Sequence, residues 1–388
     1  MTEGPYTLPK GWRWVRLGDV AQIYAGSSAP QGEQYFRGGK WPFVRVQDLG
    51  RYGQTTCLKE TANYVNEYAL QKYRLRLAKA GTILFPKSGA AILTNSRAIL
   101  GVDAYIVSHL AAVEPLPDKL DTYWAYFWLC TVDMKEFIDN PSYPSLRLSE
   151  VSKLLIPLPP LEEQRRIVAR IEELMGRVRE ARRLREEARN DAERLWQAIL
   201  AQTFPRPGSE LPEGWRWVRL GEVFRLKNGK FIRAGEFKSE GKVPVYGSNG
   251  LLGFTTIPLL MEGRTIVIGR VGACGAVNVV DAPCWISDNA MFVAEWFIEC
   301  DIEYIALALR NIDFSSFVRK GAQPSISQEV VYNAPIPLPP LEEQRRIMAH
   351  LQEVQEKIKA LKEAQEQTEA ELKRLEQAIL EKAFRGEL

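Results

Sequence analysis

The chain has 388 residues, 46% hydrophobic and 26% charged, which suits two or three soluble globular domains and no disordered or fibrous class. Fifty-one basic against 48 acidic residues leave a net charge of +3, so bulk charge does not single out a polyanion as partner. Five scattered cysteines and two histidines exclude a disulfide framework, a zinc-finger spacing and a multi-histidine metal site.

Taken in order, the chain reads as one unit written twice. Leu8-Pro-Lys-Gly-Trp-Arg-Trp-Val-Arg-Leu-Gly18 returns as Leu211-Pro-Glu-Gly-Trp-Arg-Trp-Val-Arg-Leu-Gly221, 203 positions later. Pro157-Leu-Pro-Pro-Leu-Glu-Glu-Gln-Arg-Arg-Ile167 returns as Pro337 to Ile347, 180 positions later. The two offsets describe a tandem duplication whose first copy is longer by 23 residues.

In the first copy, strand-like runs at Trp41–Val46, Thr82–Phe85 and Ala104–Val107 alternate with glycine turns, and Tyr123–Ile138 reads as helix. Most of the extra length falls between Leu49 and Gly81, where the polar composition suggests an inserted surface loop or small helix. In the second copy, Val243–Tyr246, Thr265–Ile268, Ala276–Val280 and Ala290–Ala294 read as strands and Glu303–Phe317 as helix. Trp12, Trp14, Trp215 and Trp217 recur at alternate positions and read as packing residues.

Each copy ends in a long charged segment with apolar residues at heptad spacing. The first stripe is Ile167, Ile171, Leu174, Val178, Ala181, Ala188, Ala192, Leu195, Ile199. The second is Ile347, Leu351, Val354, Ile358, Leu361, Thr368, Leu372, Leu375, Ile379. Steps alternating between four and three residues are the coiled-coil period, so the two helices are expected to pack on each other. Both stripes carry a polar residue in the same slot, Arg185 and Gln365, with Leu184 and Ala364 one position earlier. The last proline of each Pro-Leu-Pro-Pro entry suits a first helical turn, and the paired glutamates complement its dipole.

The resulting layout is a globular domain over 1–156, a helix over 157–204, a linker over 205–210, a second globular domain over 211–336 and a second helix over 337–388. The fold class is α/β (α+β), with tandem domains each followed by a long helix and the two helices packed on each other as a coiled coil. No run is apolar enough to span a bilayer, no signal peptide is visible, and the cysteine usage suits a reducing, cytoplasmic location.

No catalytic constellation, metal site or cofactor loop stands out. Asn140-Pro-Ser-Tyr143 has the outline of an amino-methyltransferase loop but no glycine-rich cofactor-binding segment before it, and a plain proline turn is the favoured reading. The glycine runs at 247–253 and 269–275 are neither a P-loop nor a dinucleotide fingerprint. They read as tight turns or as loops that approach a phosphate closely. Lys87-Ser-Gly-Ala90 aligns with Arg270-Val-Gly-Ala273, and Asn95 aligns with Asn278 at the same offset. A cation on a glycine turn followed by an amide can contact phosphates and base edges, although a solvated turn is its usual fate. Ser108-His109 falls near the slot of Asp288-Asn289, and Tyr246-Gly-Ser-Asn-Gly250 is a polar turn with one aromatic.

Together the doubled motifs resemble the specificity subunit of type I restriction–modification systems. Val243-Pro-Val-Tyr-Gly-Ser-Asn-Gly250, Gly269-Arg-Val-Gly-Ala-Cys-Gly275, Ile286-Ser-Asp-Asn-Ala290, Ala322-Gln-Pro-Ser-Ile-Ser327 and Ala383-Phe-Arg-Gly-Glu-Leu388 carry the resemblance further. The first globular region matches more loosely, through Pro42-Phe-Val-Arg-Val and Gly81-Thr-Ile-Leu-Phe. The resemblance implies two target-recognition domains that each read half of a bipartite double-stranded DNA sequence. It implies helices packed as an antiparallel coiled coil that sets the spacing, two docked methyltransferase subunits, restriction subunits in the full complex, and no catalysis or cofactor in this chain. A helix over 161–204 is about 66 Å long at ~1.5 Å per residue. The DNA-contacting candidates are Arg45, Gln47, Lys87, Ser88, Asn95, Arg97 and His109 in the first domain, and Tyr246, Ser248, Asn249, Arg270, Asn278 and Asn289 in the second. The alternatives are a subunit of a related, type IIB-like complex, an enzyme carrying such heads, and a coiled-coil scaffold that binds no DNA.

Overall fold

The computed structural model describes residues 4–51, 57–138, 144–238, 240–314 and 324–388. The chain divides into two compact units, Met1–Leu184 with Gln367–Leu388, and Arg185–Glu366. Each unit holds one globular head and portions of both long helices, which run Leu161–Thr203 and Leu341–Arg385.

The head of the first unit is built on two sheets. One, of five strands, runs Ala21–Ala25, Leu110–Pro115, Ile83–Pro86, Ala98–Leu100, Cys57–Leu58 in spatial order. The other, of four strands, runs Tyr64–Val65, Trp41–Val44, Ala104–Ile106, Leu77–Ala78. The head of the second unit has a four-stranded sheet of Phe224–Asn228, Ala290–Trp296, Arg264–Gly269, Val277–Asp281. Its three-stranded sheet is Gly250–Thr255, Val243–Gly247, Trp285–Ile286. Most pairs are antiparallel and a few are parallel, as in Val245–Tyr246 with Trp285–Ile286. The architecture is therefore mixed α/β.

The two repeated motifs turn out to be partners. Arg13–Arg16 pairs antiparallel with Leu155–Leu158, and Arg216–Arg219 with Pro335–Leu338. The Trp-Arg-Trp-Val-Arg run and the Pro-Leu-Pro-Pro run thus make one two-stranded ribbon at the foot of each helix. A glutamine locks that foot. Gln164 is fully buried; its Oε1 accepts from Asp121 N at 2.8 Å, and its Nε2 donates to Pro159 O at 2.9 Å and Lys119 O at 3.1 Å. Gln344 repeats the bond to Asp301 N at 2.8 Å and to Pro339 O at 2.8 Å. Asp121 and Asp301 in turn cap the helices Thr122–Thr131 and Ile302–Arg310. Trp124 Nε1 and Tyr304 Oη each donate to the strand carbonyl of Pro157 or Pro337, at 3.0 and 2.8 Å. Trp12 packs edge-on against Trp124, while Trp14 and Trp217 bond the carbonyls of Tyr6 and Ser209.

The helices pair antiparallel in both units. In the first, Ile167, Ile171 and Val178 share a core with Leu372, Ile379 and Phe384, and Arg182 reaches Glu376 at 2.7 Å and Glu369 at 3.2 Å. Arg166, a helix turn into the start, meets the carbonyl of Leu388. In the second, Glu193 faces Lys362 at 3.3 Å, and Leu200 packs in a core with Ile347 and Met348. Each fully buried aliphatic side chain contributes about 1.5–3 kcal/mol. Three stripe positions depart from the heptad expectation, and the first of them, Ala188, is exposed. Leu195 and Leu375, which correspond at offset 180, are 56% and 48% exposed. Leu375 borders a groove of about 350 Å³ between the helix segments of the first unit.

In the first head some elements end sooner than the sequence suggests. Strand Trp41–Val44 stops before Val46, which opens the helix Val46–Arg51. The buried Asp48 carboxylate bends the chain there, accepting from Arg45 N at 2.7 Å, Thr61 Oγ1 at 2.9 Å and Ala62 N at 3.2 Å. Helix Thr122–Thr131 breaks at Val132 and resumes as a 3₁₀ turn over Met134–Phe137, capped by Asp133. The inserted stretch contains a small helix, Glu67–Tyr73, capped by Asn66.

All five cysteines are free thiols. Burial, with Asp301 nearby, pushes the Cys300 thiol up to about 12, and burial with Asp281 pushes Cys284 up to about 11. Raised thiols stay protonated at pH 8, so both should alkylate more slowly than a free cysteine until well above that pH. A short iodoacetamide pulse on the folded protein, followed by peptide mass spectrometry, checks this; labelling of Cys284 and Cys300 at the rate of an unfolded control would contradict it.

Candidate nucleic-acid interface

The same turn follows the central strand in each head. In the first unit, Ile83–Pro86 runs into Lys87-Ser88-Gly89. Lys87 N donates to His109 O at 2.9 Å, Leu146 N donates to Lys87 O at 2.8 Å, and Gly89 N donates to Pro144 O at 2.8 Å. In the second, Arg264–Gly269 runs into Arg270-Val271-Gly272. Arg270 N donates to Asn289 O, Ile326 N to Arg270 O, both at 2.9 Å, and Gly272 N to Pro324 O at 3.1 Å. Gly89 and Gly272 both hold positive φ, +79° and +82°, which favours glycine at that corner. The backbone is thus a shared frame, and the side chains on it differ.

In the first unit the frame presents Lys87, Ser88 and the exposed His109, with Ser88 Oγ 2.5 Å from His109 Nδ1. In the second it presents Arg270, whose Nη1 donates to Asp288 O at 2.9 Å, and the exposed Asn289. The hairpin tip Tyr246–Gly250 lies against this second turn. A Cβ on Gly269 would stand 2.6 Å from Ser248 O, so glycine is required there. The corresponding Cβ position at Gly250 is 3.9 Å from Asn278 Oδ1. Ser248, Asn249, Arg270, Asn278 and Asn289 are therefore brought to one region. The Tyr246 ring is half-buried against a small core of Val267, Cys284 and Ile286, and burial pushes its hydroxyl pKa up.

Other candidates lie apart. Arg97 is 7% exposed, and its guanidinium donates to Asn95 O, Asn95 Oδ1 and Val132 O. Asn95 Oδ1 also accepts from Met134 N at 3.3 Å. The pair pins the break in the helix below, a structural duty that takes both side chains out of the turn cluster. Desolvation lowers the Arg97 pKa from its ordinary value, as burial of a cation must. The alignment of Asn95 with Asn278 also fails. Ile83 faces Ile99, and Ile266 faces Val279, so Ala98 is the counterpart of Asn278. Asn95 matches Gly275 instead, both at positive φ (+53° and +81°), because the 3₁₀ turn Ala90–Thr94 changes the offset from 183 to 180. Arg45 follows strand Trp41–Val44 of the other sheet, with its guanidinium 5.1 Å from the Phe36 ring and 5.8 Å from the Phe43 ring, near the exposed Gln47. Asn140-Pro-Ser-Tyr143 lies outside the described residues, as do the first two residues of the Ala322–Ser327 run.

A family model described as the type I restriction modification DNA specificity domain matches residues 9–187 and 212–372, once on each copy. The chain belongs to this type I specificity family. Among its relatives, the type I restriction enzyme MjaIX specificity subunit of Methanocaldococcus jannaschii is 33% identical over 156 residues, 39% of this chain and 35% of that one. The MjaVIII specificity subunit of the same organism is 22% identical across 96% of this chain and 93% of its own length. The EcoDI specificity subunit of Escherichia coli is 21% identical across 98% and 89%. Among solved structures, the HsdS subunit of Thermoanaerobacter tengcongensis superposes with a TM-score of 0.67 at 33% identity over the whole of both chains. A chain from a study of complex assembly and conformational transition in the type I R-M system gives 0.78 at 32% identity, covering 99% of this chain and all of that one.

Within this type I specificity family, the sequence signal missed two kinds of residue. The glutamine clamps Gln164 and Gln344 stand in a charged helix start whose pattern does not mark them as buried. The positive-φ glycines that shape the turn were visible, but their registration against His109 and Asn289 needed the sheet. Among the described residues, no group of three or more His, Cys, Asp or Glu could hold a metal ion, and no helix is long and apolar enough to cross a membrane.

Proposed function

We propose that the chain is the DNA-reading subunit of a type I restriction–modification complex in the cytoplasm. Each head reads one half of a bipartite duplex target through its glycine-cornered turn and the residues beside it. The observation that carries this is one backbone frame with two sets of side chains: Lys87, Ser88 and His109 in one head, Arg270 and Asn289 in the other, where Asn278 stands beside the turn. Cations there contact phosphates and guanine edges, and amides pair with adenine, so the two sets favour different bases. The paired helices fix the distance between half-sites and give two methyltransferase subunits a place to dock, with restriction subunits joining the full complex. The chain itself catalyses nothing and holds no cofactor; an adenine taken out of the stack is modified by the docked methyltransferase.

Methylome sequencing of the host with and without the gene tests this. The expected result is an interrupted two-part motif methylated at adenine N6 only when the gene is present. An unchanged methylome would overturn the reading.

A further inference from the structure

The hairpin of the second head carries an uncovered apolar ridge among cations. Its outer strand, Gly250–Thr255, is an edge strand with the uncharged sequence Gly-Leu-Leu-Gly-Phe-Thr. Leu251, Leu252 and Phe254 are 54%, 53% and 42% exposed. Leu252 is the extra residue of a bulge, where the register jumps between Val245 and Tyr246, and its side chain fills the space a Cβ on Gly247 would need. Bulges re-aim side chains, and here the bulge sets two leucines next to the tip Ser248-Asn249. Along the hairpin stand the exposed Lys230, Lys238 and Lys242, with Arg233 on the same connecting segment and one exposed carboxylate, Glu240, between the last two lysines. Lys238 N donates to Phe254 O at 2.9 Å, and Lys230 N to Ile286 O at 2.9 Å on the third strand. None of these four cations forms an ion pair among the described residues.

A run of exposed apolar side chains on an edge strand calls for a covering partner. The unpaired cations say that this partner is anionic. A DNA major groove meets both demands, since it admits a two-stranded ribbon between its phosphates and its one apolar base-edge group is the thymine methyl. We infer that the hairpin Val243–Thr255 enters the major groove and that Leu251 and Leu252 read a thymine methyl in the half-site of the second head, with Lys238 and Lys242 on the flanking phosphates. This rests on the DNA-reading function proposed above.

The test is equilibrium binding by the complex of this chain with its methyltransferase subunits. Deoxyuridine replaces each thymine of the recognised duplex in turn, which removes the methyl and keeps the hydrogen-bonding edge. Binding should weaken by about fourfold at one or more positions of a single half-site. The double variant Leu251→Ala, Leu252→Ala should bind thymine and uracil there equally and still co-purify with the methyltransferase subunits. Lys238→Gln and Lys242→Gln should each lower the slope of log affinity against log salt by about 0.9, whatever the sequence. A half-site without thymine, uracil tolerated at every position, or loss of methyltransferase co-purification in the leucine variant would each overturn the inference. A parent complex with no sequence-selective binding would instead overturn the functional reading itself.

Discussion

Gln164→Leu is expected to destabilise the first unit by about 2–5 kcal/mol, although it replaces a polar side chain in a helix with a better-packing one. The substitution removes three hydrogen bonds at once and leaves Asp121 N, Pro159 O and Lys119 O facing an apolar side chain. A buried backbone group stripped of its partner costs about 1–3 kcal/mol, and some of the three will regain water. Asp121 caps the helix Thr122–Thr131, so misplacing its backbone also loosens that cap. Gln164→Glu should be at least as severe, because a carboxylate cannot donate to the two carbonyls. Gln344→Leu should repeat the effect in the second unit through Asp301 and Pro339. Urea unfolding followed by tryptophan fluorescence reads the loss; a change below about 1 kcal/mol would show that the clamp is incidental.

The second large effect concerns register rather than stability. Arg185 and Gln365 occupy the same slot of the two copies, and they meet. Arg185 Nη2 donates to the carbonyl of Gln365, and Gln365 Nε2 donates to the carbonyl of Arg185 at 3.1 Å. Leu184, the apolar neighbour, is 52% exposed, so the helices put the polar residue into the seam and leave the apolar one outside. A polar pair inside a coiled coil lowers stability and selects one register. Replacing both by leucine should therefore leave the fold intact, with stability unchanged or raised by ~1–3 kcal/mol. It should also admit a heptad-shifted pairing. A Glu193→Cys, Lys362→Cys pair, placed where Lys362 Nζ and Glu193 Oε2 stand 3.3 Å apart, should be the pair joined by a short bifunctional thiol cross-linker in the parent background. With both leucines present, Glu193→Cys should also cross-link to Gln355→Cys, one heptad away. Exclusive 193–362 cross-linking in the leucine variant would refute the register role.

These two sites show where sequence patterns inform and where they fall short. The heptad stripes and the polar slot were legible because helix packing repeats along the chain, and every position adds to the signal. The duplication was legible for the same reason. Gln164 was not, because a glutamine between two glutamates and two arginines looks solvated; only the fold brings Asp121 over it. The Trp-Arg-Trp-Val-Arg and Pro-Leu-Pro-Pro runs were each conspicuous, but their pairing across some 140 residues is a tertiary fact. At the candidate site, Lys87 and Arg270 stand out when the copies are matched, and the shared turn supports that match. Arg97 and Asn95 were drawn in by residue type. Burial, which type does not encode, puts them to structural use, and one 3₁₀ turn of extra chain was enough to misalign Asn95 with Asn278.

Modular reading by the two heads is tested most directly by exchanging residues 222–330 for the corresponding segment of another family member and sequencing the host methylome. One half of the bipartite motif should change, while the other half and the spacing between them stay as they were. Alteration of both halves, or of neither, would contradict the assignment of one half-site to each head.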